Sequence, residues 1–261
     1  MNTTEIIEII EDITQRSFDV IKKVYDFQRE AKPENKKNLT EIGSRILFPK
    51  YSEKRKTSEN DRIKDRISEQ ELRFIFVEQL NKYAVKENMD LYYSVETPTD
   101  ESYVFDEDNG GPKVVSKSNK TDGGENENNI NKGVSARIDL VIMAKEADGT
   151  FKRVALIEFK AHNPDVNDYR KDICKLINEE GNNPDCLKYF IQIINVNAKN
   201  ENKTWENIKN KKIIAINDLD GRNEKKEMYS IEYRCYNLGS MQRKCGKIED
   251  GELKFKGTSI N

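Results

Sequence analysis

Hydrophobic and polar positions follow two different periods along the chain, and the changes of period mark its elements. Residues 4–31 carry Ile6, Ile9, Ile10, Ile13, Val20, Ile21, Val24 and Phe27 at helical spacing and stop before Pro33, which predicts one long helix or two. A polar linker and a short, mildly apolar piece at 39–51 follow. Ser68-Glu69-Gln70-Glu71 ahead of Leu72, Phe74, Ile75, Phe76, Val77 and Leu80 is a capping-box helix start. Residues 91–97, LYYSVET, predict a strand ended by Pro98. Two apolar strands, 136–144 and 153–162, flank Asp148-Gly149, a strong hairpin signal. Asn163-Pro164-Asp165 then opens a helix with Pro164 at its first position, an apolar stripe of Val166, Tyr169, Ile173, Leu176 and Ile177, and Gly181 at its end. Residues 187–196 predict a strand after a crossover, Trp205 sits in a charged helix-like stretch, 212–216 reads as another short strand, and 228–238 with 247–256 as a terminal pair.

The hairpin has chemical consequences. With its turn centred on Asp148-Gly149, Asp139 falls directly opposite Glu158. Strand alternation puts Glu158 and Lys160 on one side and Ile157 and Phe159 on the other. Opposed residues have Cβ atoms roughly 5 Å apart, and like charges so placed destabilise. Two carboxylates at about 4 Å repel by ~4 kcal/mol at an effective dielectric near 20. A divalent cation offsets that repulsion, since Mg²⁺ takes hard oxygen ligands and is commonly held by one or two carboxylates. The plainer reading is an exposed hairpin in which Asp139 and Lys160 pair diagonally. Against it, Ile138, Leu140, Val141 and Ile142 face Val154, Ala155, Leu156 and Ile157, apolar on both faces, as in centrally buried strands. Charges at the end of such a hairpin are expensive and point to a role.

Ile138-Asp139 followed by Glu158-Phe159-Lys160 resembles the PD-(D/E)xK nuclease superfamily of restriction-endonuclease-like phosphodiesterases, with Ile138 where the motif has Pro. The resemblance covers roughly residues 68–196. It implies a three-layer α/β/α restriction-endonuclease-like core with a central mixed sheet, preceded here by an N-terminal helical extension. It makes Asp139 and Glu158 metal ligands, the Phe159 carbonyl a further ligand, and Lys160 the residue that orients the attacking water. The implied cofactor is Mg²⁺, with Mn²⁺ an alternative. In such proteins the first core helix commonly presents a Glu to the metal, which casts Glu71 as catalytic with Glu78 as substitute, although the capping box gives Glu71 a purely structural role. The helix after the hairpin borders the site, so Lys171 and Lys175, with Arg137 beside Asp139, are candidate nucleic-acid contacts; a solvated face is the other reading of the lysines. The expected organisation is a helical extension and basic linker over 1–66 and a nuclease-like domain over 67–261. A polar insertion at 99–132 is expected to be mobile, either lying over the substrate groove or serving as decoration.

Composition adjusts this picture. A chain of 261 residues can bury about three-quarters of its unfolded surface, and 35% charged residues imply a highly charged exterior. No apolar run approaches the ~20 residues of a membrane span, and the start of the sequence does not read as a signal peptide, so a cytoplasmic protein without a membrane partner is expected. Cys174, Cys186, Cys235 and Cys245 are spaced too widely for zinc-knuckle pairs, and the single His162 argues against histidine-based catalysis. A net charge of −2 is no advertisement for nucleic acid. Two basic runs, Lys50, Lys54, Arg55, Lys56, Arg62, Lys64 and Arg66, and Lys199, Lys203, Lys209, Lys211 and Lys212, read equally as phosphate contacts or solvated segments. The expected function is a divalent-metal-dependent nuclease with DNA favoured over RNA, and a homodimer is one way to cut both strands. The alternative is a catalytically silent nucleic-acid-binding or scaffold protein that keeps the fold.

Overall fold

The computed structural model describes residues 1–29, 42–53, 62–65, 67–106, 111–115, 134–179, 183, 185–220, 229–249 and 251–256. Four helices occur among them, α1 (Thr3–Arg29), α2 (Glu69–Lys86), α3 (Val166–Asn178) and α4 (Ala198–Asp220). The strands are β1 (Lys50–Glu53), β2 (Arg62–Asp65), β3 (Leu91–Asp106), β4 (Gly111–Val115), β5 (Val134–Lys145), β6 (Phe151–Ala161), β7 (Leu187–Ile194), β8 (Ser230–Asn237), β9 (Gln242–Glu249) and β10 (Glu252–Phe255). β1 and β2 pair with each other; the remaining eight form one sheet in the order β10-β9-β8-β7-β6-β5-β3-β4. β6, β7 and β8 run parallel and every other pairing is antiparallel, so this is an α/β protein with a mixed open sheet.

Two buried clusters show why the helices sit where they do. On one face α1 contributes Ile6, Ile10, Ile13, Ile21 and Val24, and α2 contributes Leu72, Ile75 and Phe76, against Leu140, Ile142, Ile157 and Phe159 of the sheet. On the other, Tyr169, Ile173 and Ile177 of α3 and Trp205, Ile208 and Ile216 of α4 cover Val141, Leu156, Phe190 and Tyr233. β6 lies mid-sheet and is buried from Val154 through Phe159, as a strand with helices on both faces must be. α3 and α4 are the crossovers of two successive parallel β-α-β units and share one face, as expected when both crossovers have the same hand. α1 packs in the same cluster as β5 and β6 and is tied to β8 by Arg234, whose Nε donates to Glu11 at 2.8 Å.

Several expectations change. Residues 212–216 belong to α4, because the buried positions Trp205, Ile208, Lys212, Ala215, Ile216 and Leu219 follow a helical period that a five-residue window conceals. Pro98 does not end β3: the strand continues to Asp106 with a register shift between Pro98 and Ser102, where a residue lacking an N–H is tolerated. The buried Glu179 carboxylate steadies that irregularity, accepting from the amides of Asp100 (2.8 Å) and Glu101 (3.0 Å) and from the Tyr103 hydroxyl (3.0 Å). Within the expected insertion, residues 99–106 and 111–115 are therefore strand; 107–110 and 116–133 lie outside the described residues. Asp165 caps α3, accepting from Asp168 N at 3.0 Å, so Pro164 precedes the cap. α3 stops at Asn178, and Gly181 lies outside the described residues, as do Lys54, Arg55, Lys56 and Arg66 of the first basic run. Among the described residues no helix is long and apolar enough to cross a membrane.

Candidate active site

The site lies where the buried hairpin emerges between the start of α2 and the middle of α3. β5 and β6 pair Leu140 with Ile157, Val141 with Leu156 and Ile142 with Ala155, and one further step of this register sets Asp139 against Glu158. Towards the turn the register slips by one residue, to Met143 with Arg153. The slip matches the loop: Glu146 N donates to the Thr150 carbonyl (2.8 Å), Gly149 adopts φ 85°, and Asp148 accepts from Thr150 N (2.9 Å). Centring the turn on Asp148-Gly149 is thus right for the site end and one residue off beyond the bulge.

Asp139 Oδ2 accepts the Phe159 amide at 2.8 Å. In a strand a residue's N–H and C=O point to the same side, so the Phe159 carbonyl is directed towards the β5 edge of β6. The Phe159 ring is buried edge-on against Phe76 of α2, with centroids 5.5 Å apart.

Around this pair the charges alternate. Lys160 Nζ stands 2.7 Å from Asp172 Oδ2 and 3.5 Å from Glu69 Oε1. Asp172 Oδ1 is 2.9 Å from Lys175 Nζ, which is 2.7 Å from Glu158 Oε1 and donates to the Arg137 carbonyl at 2.9 Å. The Asp139 and Glu158 carboxyls are close enough for the charge of Asp139 to raise Glu158 further. Arg73 bonds Glu96 and lies 3.8 Å from Asp139 Oδ1. Five carboxylates thus meet three cationic groups, leaving a formal excess of two negative charges.

Burial and the neighbouring Asp172 push Glu158, only 1% exposed, well above the usual carboxylate range. The same two causes raise Asp139 more moderately. Burial also pushes at Asp172, but Lys175 and Lys160 outweigh it and hold that carboxyl below its ordinary value. For both lysines burial works against the charge, and their carboxylate partners more than offset it, so each ammonium is held above the ordinary lysine range. Burial raises Glu69 against the pull of Lys160. Asp139 and Glu158 are therefore crowded acids whose charged forms are disfavoured, set beside two lysines whose charged forms are favoured.

Among the described residues no cluster of three or more His, Cys, Asp or Glu side chains is arranged to hold a metal ion. Two carboxylates and a carbonyl nonetheless suit a hard divalent cation that keeps most of its waters. Glu158 Oε1 bears on this fit: it is buried, and Lys175 approaches at ion-pair distance but without hydrogen-bonding alignment, so the oxygen has no aligned donor.

No family model, curated protein or solved structure matches this chain.

The geometry of the site sorts the expected residues. Asp139, Glu158, Phe159 and Lys160 come together. Glu71 is committed to its helix start, where Oε2 accepts the Ser68 amide at 3.0 Å, and the carboxylate of α2 that reaches the site is Glu69. Glu69 and Arg73 lie four residues apart on one helix face, and that spacing could have singled them out. Lys175 is not on a solvated face: it is buried between Glu158 and Asp172. Lys171 is half-buried one turn earlier, and Arg137 is exposed, offering its carbonyl inward. Asp172 was missed because it adjoins the apolar stripe at Ile173; its i, i+3 relation to Lys175 was the available signal. In the second basic run, Lys212 is 0% exposed and makes no phosphate contact from that position, while Lys211 donates to the Pro164 carbonyl at 2.7 Å.

Proposed function

We propose that this chain is a divalent-metal-dependent nuclease with a restriction-endonuclease-like core, hydrolysing phosphodiester bonds in nucleic acid, with DNA the favoured substrate. The observation that carries the reading is the meeting of Asp139 and Glu158 at the end of a buried hairpin, with Lys160 two residues on. Asp139, Glu158 and the Phe159 carbonyl would hold Mg²⁺ or Mn²⁺. A cation bound there supplies Lewis acidity towards the phosphate and lowers the pKa of a bound water. Lys160, kept cationic by Asp172 and Glu69, donates to the attacking water and orients it. Asp172 fixes Lys160 in turn. The exposed Arg137 and, on α3, Lys171 flank the site and contact the nucleic-acid backbone. Incubating the full chain with single- and double-stranded DNA and RNA, with and without Mg²⁺ or Mn²⁺, tests this. Metal-dependent cleavage that Glu158→Gln abolishes is the expected result; equal cleavage by the variant sinks the assignment.

A second reading, a nucleic-acid-binding protein without turnover, draws on one specific contact: Glu158 already faces a cation, Lys175. Nucleic-acid binding without any calorimetric signal for Mg²⁺ at millimolar concentration would favour it.

A further inference from the structure

Lys175 lies beyond the acid-acid-lysine set yet makes the shortest charged contact to Glu158, at 2.7 Å. Its other partners are Asp172 Oδ1 and the Arg137 carbonyl, both at 2.9 Å. A lysine is a compact charge on a flexible four-carbon stem with three donors. Lys175 therefore keeps two partners if Glu158 turns away, and Asp172 keeps Lys160 as well. Glu158 has no such reserve: Oε1 is buried and has no aligned donor. The contact is thus unequal, replaceable for the lysine and not for the carboxylate.

We propose that Lys175 is a resident counter-ion at the metal position, a positioning residue whose ammonium neutralises Glu158 before a divalent cation arrives and yields that carboxylate to the cation. This rests on the nuclease reading of Asp139 and Glu158. Without a cation of some kind, two acids meet at the end of a buried hairpin; with Lys175 on Glu158 the empty site is tolerated. The same ammonium competes with the metal, so affinity is set partly by a residue that is not a ligand. Asp172 and the Arg137 carbonyl receive the displaced ammonium, which keeps it from becoming a buried charge without a partner.

The test is Mn²⁺ binding by the full chain, followed by calorimetry and by the spin-resonance signal of free Mn²⁺, with no nucleic acid present. Lys175→Met removes the competing charge, and binding is expected to tighten by roughly tenfold or more, the scale of deleting one like charge a few ångströms from a divalent ion. Glu158→Gln is expected to lose binding. Should Lys175→Met lose its cooperative melt, Lys175→Gln keeps a donor towards Asp172 without the charge and carries the same expectation. On the unmodified protein, acylation mapped by mass spectrometry is expected to show Lys175 becoming more reactive when Mn²⁺ is added. If Glu158→Gln abolishes binding while both Lys175 variants bind no tighter than the parent, the counter-ion role is overturned and the metal site stands. If neither the parent nor any Lys175 variant binds Mn²⁺, the metal site itself fails, and the proposal with it. Binding that appears only in the Lys175 variants supports the proposal in its strongest form.

Discussion

At the scale of single residues, Asp172 and Lys212, both buried on the α3/α4 face, behave oppositely. Asp172 is held between Lys160 and Lys175, and each contact is short. Asp172→Ala leaves two buried ammonium groups to share fewer acceptors, and is expected to lower unfolding free energy by about 3–5 kcal/mol in urea titrations. Lys212 has no such partner. Its Nζ is fully buried, makes no hydrogen bond, and sits 4.1, 3.4 and 4.5 Å from the ring centroids of Tyr169, Phe190 and Tyr233. Burial drives this amine well below the ordinary lysine range, with Cys235 and Asp172 opposing and Lys160 assisting. The folded state therefore binds fewer protons there than the unfolded chain, and stability rises with pH until the unfolded lysine titrates near about 10.4. Lys212→Met is expected to raise stability at neutral pH by about 1–3 kcal/mol, with the advantage shrinking as pH approaches 10. Chemical denaturation of both proteins at pH 7 and pH 9.5 checks the sign; a gap that widens with pH contradicts it. Asp172 did not stand out in the sequence, and Lys212 stood out only as a member of a basic run. Asp172 and Lys212 occupy or adjoin apolar stripes, where pattern reading expects hydrocarbon and places charges outward by default.

At the scale of elements, the hairpin and α2 divide the work of the site. Asp139 and Glu158 were legible because an Asp-Gly turn fixes a register and alternation fixes a side, both local properties of the chain. The bulge beyond Ile142 was not legible, since it depends on how the loop from Glu146 to Thr150 closes. Glu71 shows the limit of a motif read without a helix face. Its carboxylate completes the capping box, while Glu69, two residues earlier, reaches Lys160. Glu71→Ala is accordingly expected to lower stability by about 1 kcal/mol and leave Mn²⁺ binding unchanged. Glu69→Gln, in contrast, loosens Lys160 and is expected to reduce turnover with little effect on the melting temperature, its contact being at 3.5 Å and partly exposed. Melting curves beside metal titrations and cleavage rates for the two variants separate the roles; the reverse pattern would return Glu71 to the site.

At the scale of the whole molecule, the helices sort onto two faces of the sheet, and α1 belongs to the same buried cluster as the hairpin that carries the site. Removing residues 1–29 takes Ile6, Ile10, Ile13, Ile21 and Val24 out of that cluster and strips Phe18 from the Tyr236 ring, and loss of a cooperative melt is expected by circular dichroism. The helical period of α1 was plain in the sequence, but its partner was not, because nothing local in Ile6 to Val24 says which strands it will cover. The same holds for strand order: 228–238 and 247–256 alternate enough to suggest a terminal pair, but the second span divides between the end of β9 and β10, and the place of both at the far edge from the hairpin is set by two crossovers and not by their own residues. What unites the molecule functionally is one claim, that Asp139 and Glu158 form a centre for metal-assisted phosphodiester hydrolysis. Cleavage of end-labelled DNA with and without Mg²⁺, comparing the unmodified chain with Glu158→Gln at matched folded fraction, addresses it most directly. The account predicts Mg²⁺-dependent cleavage that falls by at least about 100-fold in the variant, the scale of losing several kcal/mol of transition-state charge stabilisation. Cleavage independent of Mg²⁺, cleavage undiminished in the variant, or no cleavage of DNA or RNA by the unmodified chain would contradict it.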